Sequence, residues 1–151
     1  METVWVEPGH AVGISGTTVI QVWESTGPDA TRMRRILDVL TRLRSTGRHV
    51  QMLACIAETS PMPDAAARKI AASFPEYFDY YVGVHEGTSI RGALVRAVLL
   101  GTAMVSRVRA RYEIFSTVDD GVRGLVAHGA NDASELRRCV CELRERAVRW
   151  A

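Results

Sequence analysis

His49-Val50-Gln51-Met52-Leu53-Ala54-Cys55-Ile56-Ala57, then Glu58-Thr59-Ser60-Pro61-Met62-Pro63-Asp64, then Ala65-Ala66-Ala67-Arg68-Lys69-Ile70, is the stretch that decides the fold class. Its first part is an almost continuous apolar run with β-formers, the length of one strand buried on both faces. Its last part is Ala-rich and begins behind Asp64, a good N-cap, so the pattern predicts a helix running to about Ser73. Between them lies a polar turn with one carboxylate and two adjacent hydroxyls. In an α/β sheet, the place where a buried strand hands polar side chains to a helix N-terminus is where function usually sits.

The flanks extend this unit. Upstream, Thr3–Glu7 alternates apolar and polar residues and Pro8-Gly9 turns the chain. Ala11–Ile14 and Thr17–Trp23 are β-branched runs split by Ser15-Gly16, a hairpin or bulge signal that fits either two or three strands. Thr26 and Asp29 resemble a capping box. Met33, Ile36, Leu37, Leu40 and Leu43 then follow helical spacing, with Gly47 at the expected C′ position. Downstream, Tyr80–Val84 is the next strand, ended by His85-Glu86-Gly87. Thr88 caps a long helix to about Arg107 with a broad apolar side, and Tyr112–Phe115 is a short strand. Ser116 with Asp119 begins a helix carrying Val122, Leu125 and Val126. Asp132 with Glu135 begins a last one carrying Leu136, Val140, Leu143 and Val148. Two opening strands followed by strand–helix units imply a mixed α/β sheet of about four to five strands covered by helices. The expectation is a single domain over 1–151, with a core at about 11–128 and an additional C-terminal helix at about 132–150.

Composition narrows the function classes. The chain is 47% hydrophobic and 24% charged, ordinary for a globular domain, and its net charge of +2 gives no global case for nucleic acid or an anionic membrane. Lys69 is the only lysine among 19 basic residues, so the arginines carry no functional weight in bulk. Cys55 reads as a small buried apolar residue. Cys139 and Cys141, two apart on a helix, diverge by roughly 200° and cannot converge on one metal. Free thiols, an N-terminus without a signal-peptide pattern and no span-length apolar run predict a cytoplasmic protein without a membrane segment.

The order of elements resembles the STAS domain, the fold of bacterial anti-sigma-factor antagonists. Three places carry the resemblance. The strand Val50–Ala57 leading to Glu58-Thr59-Ser60 is similar to the family's strand ending in Asp-Ser-Ser-Gly. Gly27-Pro28-Asp29 matches the start of its first helix. Tyr112-Glu113-Ile114-Phe115-Ser116-Thr117-Val118-Asp119-Asp120-Gly121-Val122 looks like its final strand and helix start. The resemblance implies a non-enzymatic partner-switching protein in which a kinase phosphorylates the hydroxyl after the acidic residue and so releases a bound protein. Glu58 stands at the acidic position, and Thr59 and Ser60 at the hydroxyl pair. Pro61 replaces the family's glycine, which restricts Ser60 to extended conformations and removes an N–H from the turn.

Glu58, Thr59 and Ser60 are therefore candidate phospho-acceptor or partner-contact residues, with helix capping as the alternative role for the hydroxyls. His85 is a general-base candidate, and with Gly87, Thr88 and Ser89 it forms a candidate anion or ligand site at a helix start. No Gly-x-Gly-x-x-Gly, P-loop or Gly-x-Ser-x-Gly spacing accompanies it. His10, His49, His85 and His128 show no metal-ligand spacing, so neither a metal nor a cofactor is expected. Arg107, Arg109 and Arg111 form a short basic cluster that reads as a solvated connection. The expected function is protein interaction, with a kinase or anti-sigma-type regulator or with a second copy through the 88–107 helix or the C-terminal helix with Trp150. The alternative is a small anion- or nucleotide-binding module using the strand ends near Glu58 and His85.

Overall fold

The computed structural model describes residues 1–87, 111–130 and 132–149. The strands β1 (Glu2–Glu7), β2 (His10–Ser15), β3 (Thr18–Trp23), β4 (Gln51–Ile56), β5 (Tyr80–His85) and β6 (Arg111–Phe115) lie side by side in chain order in one sheet. β1, β2 and β3 pair antiparallel, and β3, β4, β5 and β6 pair parallel. The mixed α/β sheet is as expected, but it has six strands rather than four or five, because the N-terminal region supplies three. Both early turns are two-residue hairpin loops, closed at Glu7↔His10 and Ser15↔Thr18. Gly9 and Gly16 take positive φ there, which L side chains adopt reluctantly.

Helices cover both faces. On one lie α1 (Ala30–Arg44) and α2 (Ala65–Ala71), whose Met33, Ile36, Val39, Leu40 and Ala67 pack on Val12, Val19, Trp23 and Met52. On the other lie α3 (Val118–Ala127) and α4 (Ala133–Arg149), whose Val122, Leu125, Leu136, Val140 and Leu143 pack on Ile20, Val22, Leu53, Val82 and Val84. The parallel strands follow one another without reversal, so the crossovers through α1 and α2 stack on one face. The opposite face is covered by α3, and by α4 running back over β2 and β3.

Several boundaries differ from the sequence reading. Asp29 alone caps α1, accepting from the Arg32 N–H at 2.9 Å, while Thr26 lies outside the helix. Gly47, with φ +72°, sits two residues beyond the Ser45 C-cap instead of next to it. α2 ends at Ala71, and a 3₁₀ turn at Phe74–Glu76 follows because Pro75 cannot continue the ladder. The cap of α3 is one residue later than expected: Thr117 and Asp120 form the box, at 3.2 Å from the Asp120 N–H to the Thr117 hydroxyl. Asp132 does cap α4, accepting from the Ser134 and Glu135 N–H groups. Val148, expected on the apolar side of its helix with Leu136, Val140 and Leu143, is exposed. Val148 is five residues beyond Leu143, so Ala147 takes the inward position instead. The expected helix at 88–107, Arg107, Arg109 and Trp150 lie outside the described residues.

His10 is among the polar side chains enclosed within this framework. The His10 ring is fully buried and stacks on Trp23 at 3.6 Å, while its Nδ1 accepts from the Trp5 indole N–H at 3.4 Å. Its Nε2 is buried without a hydrogen-bond partner. Burial first, then the Arg32 charge, pulls its pKa down to about 3.

Candidate functional site

All four parallel strands end on the same edge, so the segments after them meet there: Glu24–Asp29 after β3, Ala57–Asp64 after β4, and Glu86-Gly87 after β5. The ladder continues slightly past the strands. The Ala57 N–H donates to the Trp23 carbonyl at 2.8 Å, and the Glu86 N–H to the Ile56 carbonyl at 3.1 Å. The three segments are thus held at a strand's width from one another.

The hydroxyls of Thr59 and Ser60 do not cap α2. Asp64 does, accepting from the Ala67 N–H at 2.7 Å, with Pro61-Met62-Pro63 intervening. Thr59 instead donates to the Glu24 carbonyl at 2.8 Å, and Ser60, which is buried, donates to the Thr26 carbonyl at 3.1 Å. Both hydroxyls therefore tie the turn after β4 to the turn after β3. Pro61 completes the tie. A Cβ on Gly27 would fall 2.9 Å from the Pro61 carbonyl oxygen and 3.0 Å from its Cβ, so only glycine permits this approach. The residue that departs from the resemblance has a packing role of its own.

Glu58 is exposed and leans toward β5. A Cβ on Gly87, whose φ is +130°, would sit 2.7 Å from the Glu58 Cδ. Gly87 is required both by its backbone conformation and by the carboxylate that fills its side-chain space. Beside them, Arg144 from α4 reaches over the edge. Its guanidinium lies 3.0 Å from Glu24 and 2.5 Å from Glu86, all three side chains being partly buried. Burial raises the pKa of the Cys55 thiol, on the same face of β4, to about 12; the Arg144 charge opposes this, and Glu86 and Glu24 reinforce it. That thiol is inert toward nucleophilic chemistry.

Of the sequence candidates, the structure brings Glu58, Thr59, Ser60 and Gly87 to one edge. His85 is buried at the end of β5, level with Ile56. Strand alternation turns it toward the α1–α2 face, whereas Glu86 meets Arg144 on the other side. Thr88 and Ser89 lie outside the described residues. Glu24 and Glu86 thus flank the Arg144 guanidinium, and Glu58 lies against Gly87, so three carboxylates share this edge. Sequence reading missed the Glu24–Arg144–Glu86 group because Arg144 is one of many helix arginines, and its partners lie far away in the chain.

Two surface clefts open elsewhere: one of about 410 Å³ beside Asp132, Ser134, Glu135 and Arg138, and one of about 210 Å³ beside His49, Asp79, Tyr80, Arg111 and His128. Among the described residues, no three His, Cys, Asp or Glu side chains are placed to share a metal ion, and no helix is long and apolar enough to cross a membrane. No family model matches the sequence, and comparison with curated proteins and with solved structures finds no match to either.

Proposed function

We propose that this chain is a non-enzymatic, cytoplasmic protein-interaction module of regulatory type that binds its partner through the turn after β4. One observation carries the reading. Met62 is 48% exposed at the tip of a turn stiffened by Pro61 and Pro63 and tied down by Thr59, Ser60 and the Gly27–Pro61 contact. An apolar side chain on a fixed, projecting turn is a preorganised anchor, because little conformational freedom is lost when a partner closes over it. The acidic surroundings set the partner's chemistry: an apolar pocket bordered by Arg or Lys.

This agrees with the STAS resemblance in the place of contact and differs in the switch. A phosphoryl group on Ser60 would need the buried hydroxyl to leave the Thr26 carbonyl. One on the exposed Thr59 would place a dianion in an edge that already holds three carboxylates. The same charge argues against the alternative reading of an anion site at Glu58 and His85.

The test is affinity capture on immobilised protein from the source cells, comparing wild type with Met62→Asp and Glu58→Arg. The expected result is one or more proteins retained by wild type and lost with both variants, whose thermal unfolding matches wild type. Retention of every captured protein by both folded variants removes the turn as the contact.

A further inference from the structure

The amino-terminal edge of the parallel strands carries a second group of polar side chains, assembled from four separate parts of the chain. His49 precedes β4, Asp79 and Tyr80 open β5, Arg111 opens β6, and His128 follows α3; together they line the cleft of about 210 Å³. Asp79 is already engaged. It lies 2.8 Å from Arg44 and 3.1 Å from the His49 Nδ1, and it accepts from the Val50 N–H at 2.9 Å. Its charge is spent on holding the C-terminus of α1 and the start of β4.

The two imidazoles are both oriented through Nδ1. That of His49 is held by Asp79, and that of His128 lies 2.9 Å from the Gly124 carbonyl, which fixes it as the N–H. The His128 ring also stacks on buried Tyr80 at 3.9 Å, and its carbonyl accepts from the Gln51 side-chain amide at 2.7 Å. In both residues Nε2 is the end left over. Arg111, level with Tyr80 in the sheet, is exposed, and among the described residues its guanidinium has no ion pair. Glu113, two residues along β6, places its carboxylate beside the Tyr80 hydroxyl, so the cleft sets one arginine without an ion pair and two anchored imidazoles beside two carboxylates that are already engaged.

We propose that this cleft is a binding site for a phosphoryl group, either free phosphate or a small phosphomonoester. A guanidinium is suited to oxygens that lie side by side, and the His49 and His128 rings line the same cleft. Side chains brought to one cleft from β6, from the end of α3 and from the segment before β4 can meet a tetrahedral oxyanion from several sides. The volume admits the phosphoryl group and a short substituent, not a whole nucleotide. The site is at the opposite end of the sheet from the proposed partner contact, and it stands or falls independently of it.

The experiment is a titration of the full chain at pH 6 with inorganic phosphate, and separately with glycerol 3-phosphate, read through the histidine ring NMR signals and by calorimetry. The expected result is saturable movement of the His49 and His128 signals, leaving His10 still, and affinity at least tenfold weaker in Arg111→Gln. That variant spares the fold, because the Arg111 contact to Asp79 is made by its backbone N–H. Tighter binding of glycerol 3-phosphate assigns the site to a monoester, and equal or tighter binding of phosphate assigns it to the free ion. Linear, non-saturating shifts with both probes, or equal affinity in wild type and Arg111→Gln, overturn the proposal.

Discussion

His10 makes the stability of this protein depend on pH in a way that can be calculated. Its imidazole is fully buried against Trp23 and Trp5, and its pKa falls from 6.5 to about 3, through burial first and then the Arg32 charge, with Asp29 opposing and Arg35 adding. The unfolded chain takes up the proton near pH 6.5, and the folded protein does not until about pH 3. Between those values the unfolded state binds more protons, so stability is fully present above pH 6.5 and is lost as pH falls toward 3. The slope approaches about 1.4 kcal/mol per pH unit, and the whole interval corresponds to about 5 kcal/mol. From pH 6.5 to pH 5, where most carboxylates stay ionised, His10 alone removes about 1.5–2 kcal/mol.

Urea unfolding at intervals across that range, in wild type and in His10→Phe, isolates the effect. Phenylalanine keeps the stack on Trp23 but strands the Trp5 indole N–H, a cost that does not vary with pH. The variant is therefore expected to start lower and to lose about 1.5–2 kcal/mol less than wild type between pH 6.5 and 5. The His10 ring signal in wild-type NMR spectra supplies a check that needs no variant: it is expected not to titrate down to pH 4.5. Parallel pH profiles for the two proteins, or a His10 signal that moves near pH 6, refute the reasoning.

Three further outcomes follow from the carboxyl edge. Ser60→Ala leaves the Thr26 carbonyl without its donor and is expected to cost about 1 kcal/mol by chemical denaturation; no loss would mean that the bond does not tie the turns. Gly27→Ala drives a methyl against Pro61 at 2.9 Å, with an expected loss of about 1–3 kcal/mol, and an unchanged melting temperature would contradict the close approach. Arg144→Met leaves Glu24 and Glu86 facing each other in a partly buried place, and a loss of about 1–3 kcal/mol is expected, discounted for their exposure. Adding Glu24→Gln and Glu86→Gln is expected to restore most of it; if the triple variant is no more stable than the single one, the charge argument fails.

The sequence disclosed what depends on local periodicity. The apolar run before Glu58, the cap at Asp64, the alternation in Thr3–Glu7 and the β-branched runs after it are written within a few residues of where they act, and the α/β class followed from them. The number of early strands stayed open because Ser15-Gly16 suits a bulge as well as a hairpin; only the pairing Ser15↔Thr18 distinguishes them. Roles that depend on long-range contacts were hidden. A Thr-Ser pair before a helix looks the same whether it caps that helix or donates to carbonyls of another loop, and here it donates to those of Glu24 and Thr26, about 35 residues away. The amino-edge cleft was equally unreadable, since His49, Asp79, Arg111 and His128 converge only when β4, β5, β6 and α3 are assembled.

Among the described residues, the strand order accounts for the closure of the turns after β3 and β4 on each other. A ligand crevice in an open α/β sheet forms where neighbouring crossovers leave in opposite directions and their loops part. β3, β4, β5 and β6 run in sequence without such a reversal, so the turns after β3 and β4 close on each other through Thr59, Ser60 and the Gly27–Pro61 contact. α4 then crosses back and brings Arg144 between Glu24 and Glu86. What remains outward is Glu58, Met62 and the prolines, an acidic rim around an apolar tip. At the other edge Asp79 is engaged by Arg44 and His49, Glu113 lies beside the Tyr80 hydroxyl, and Arg111 and His128 line the cleft. In the proposed reading, the carboxyl end of the sheet takes a basic protein surface and the amino end a phosphoryl group.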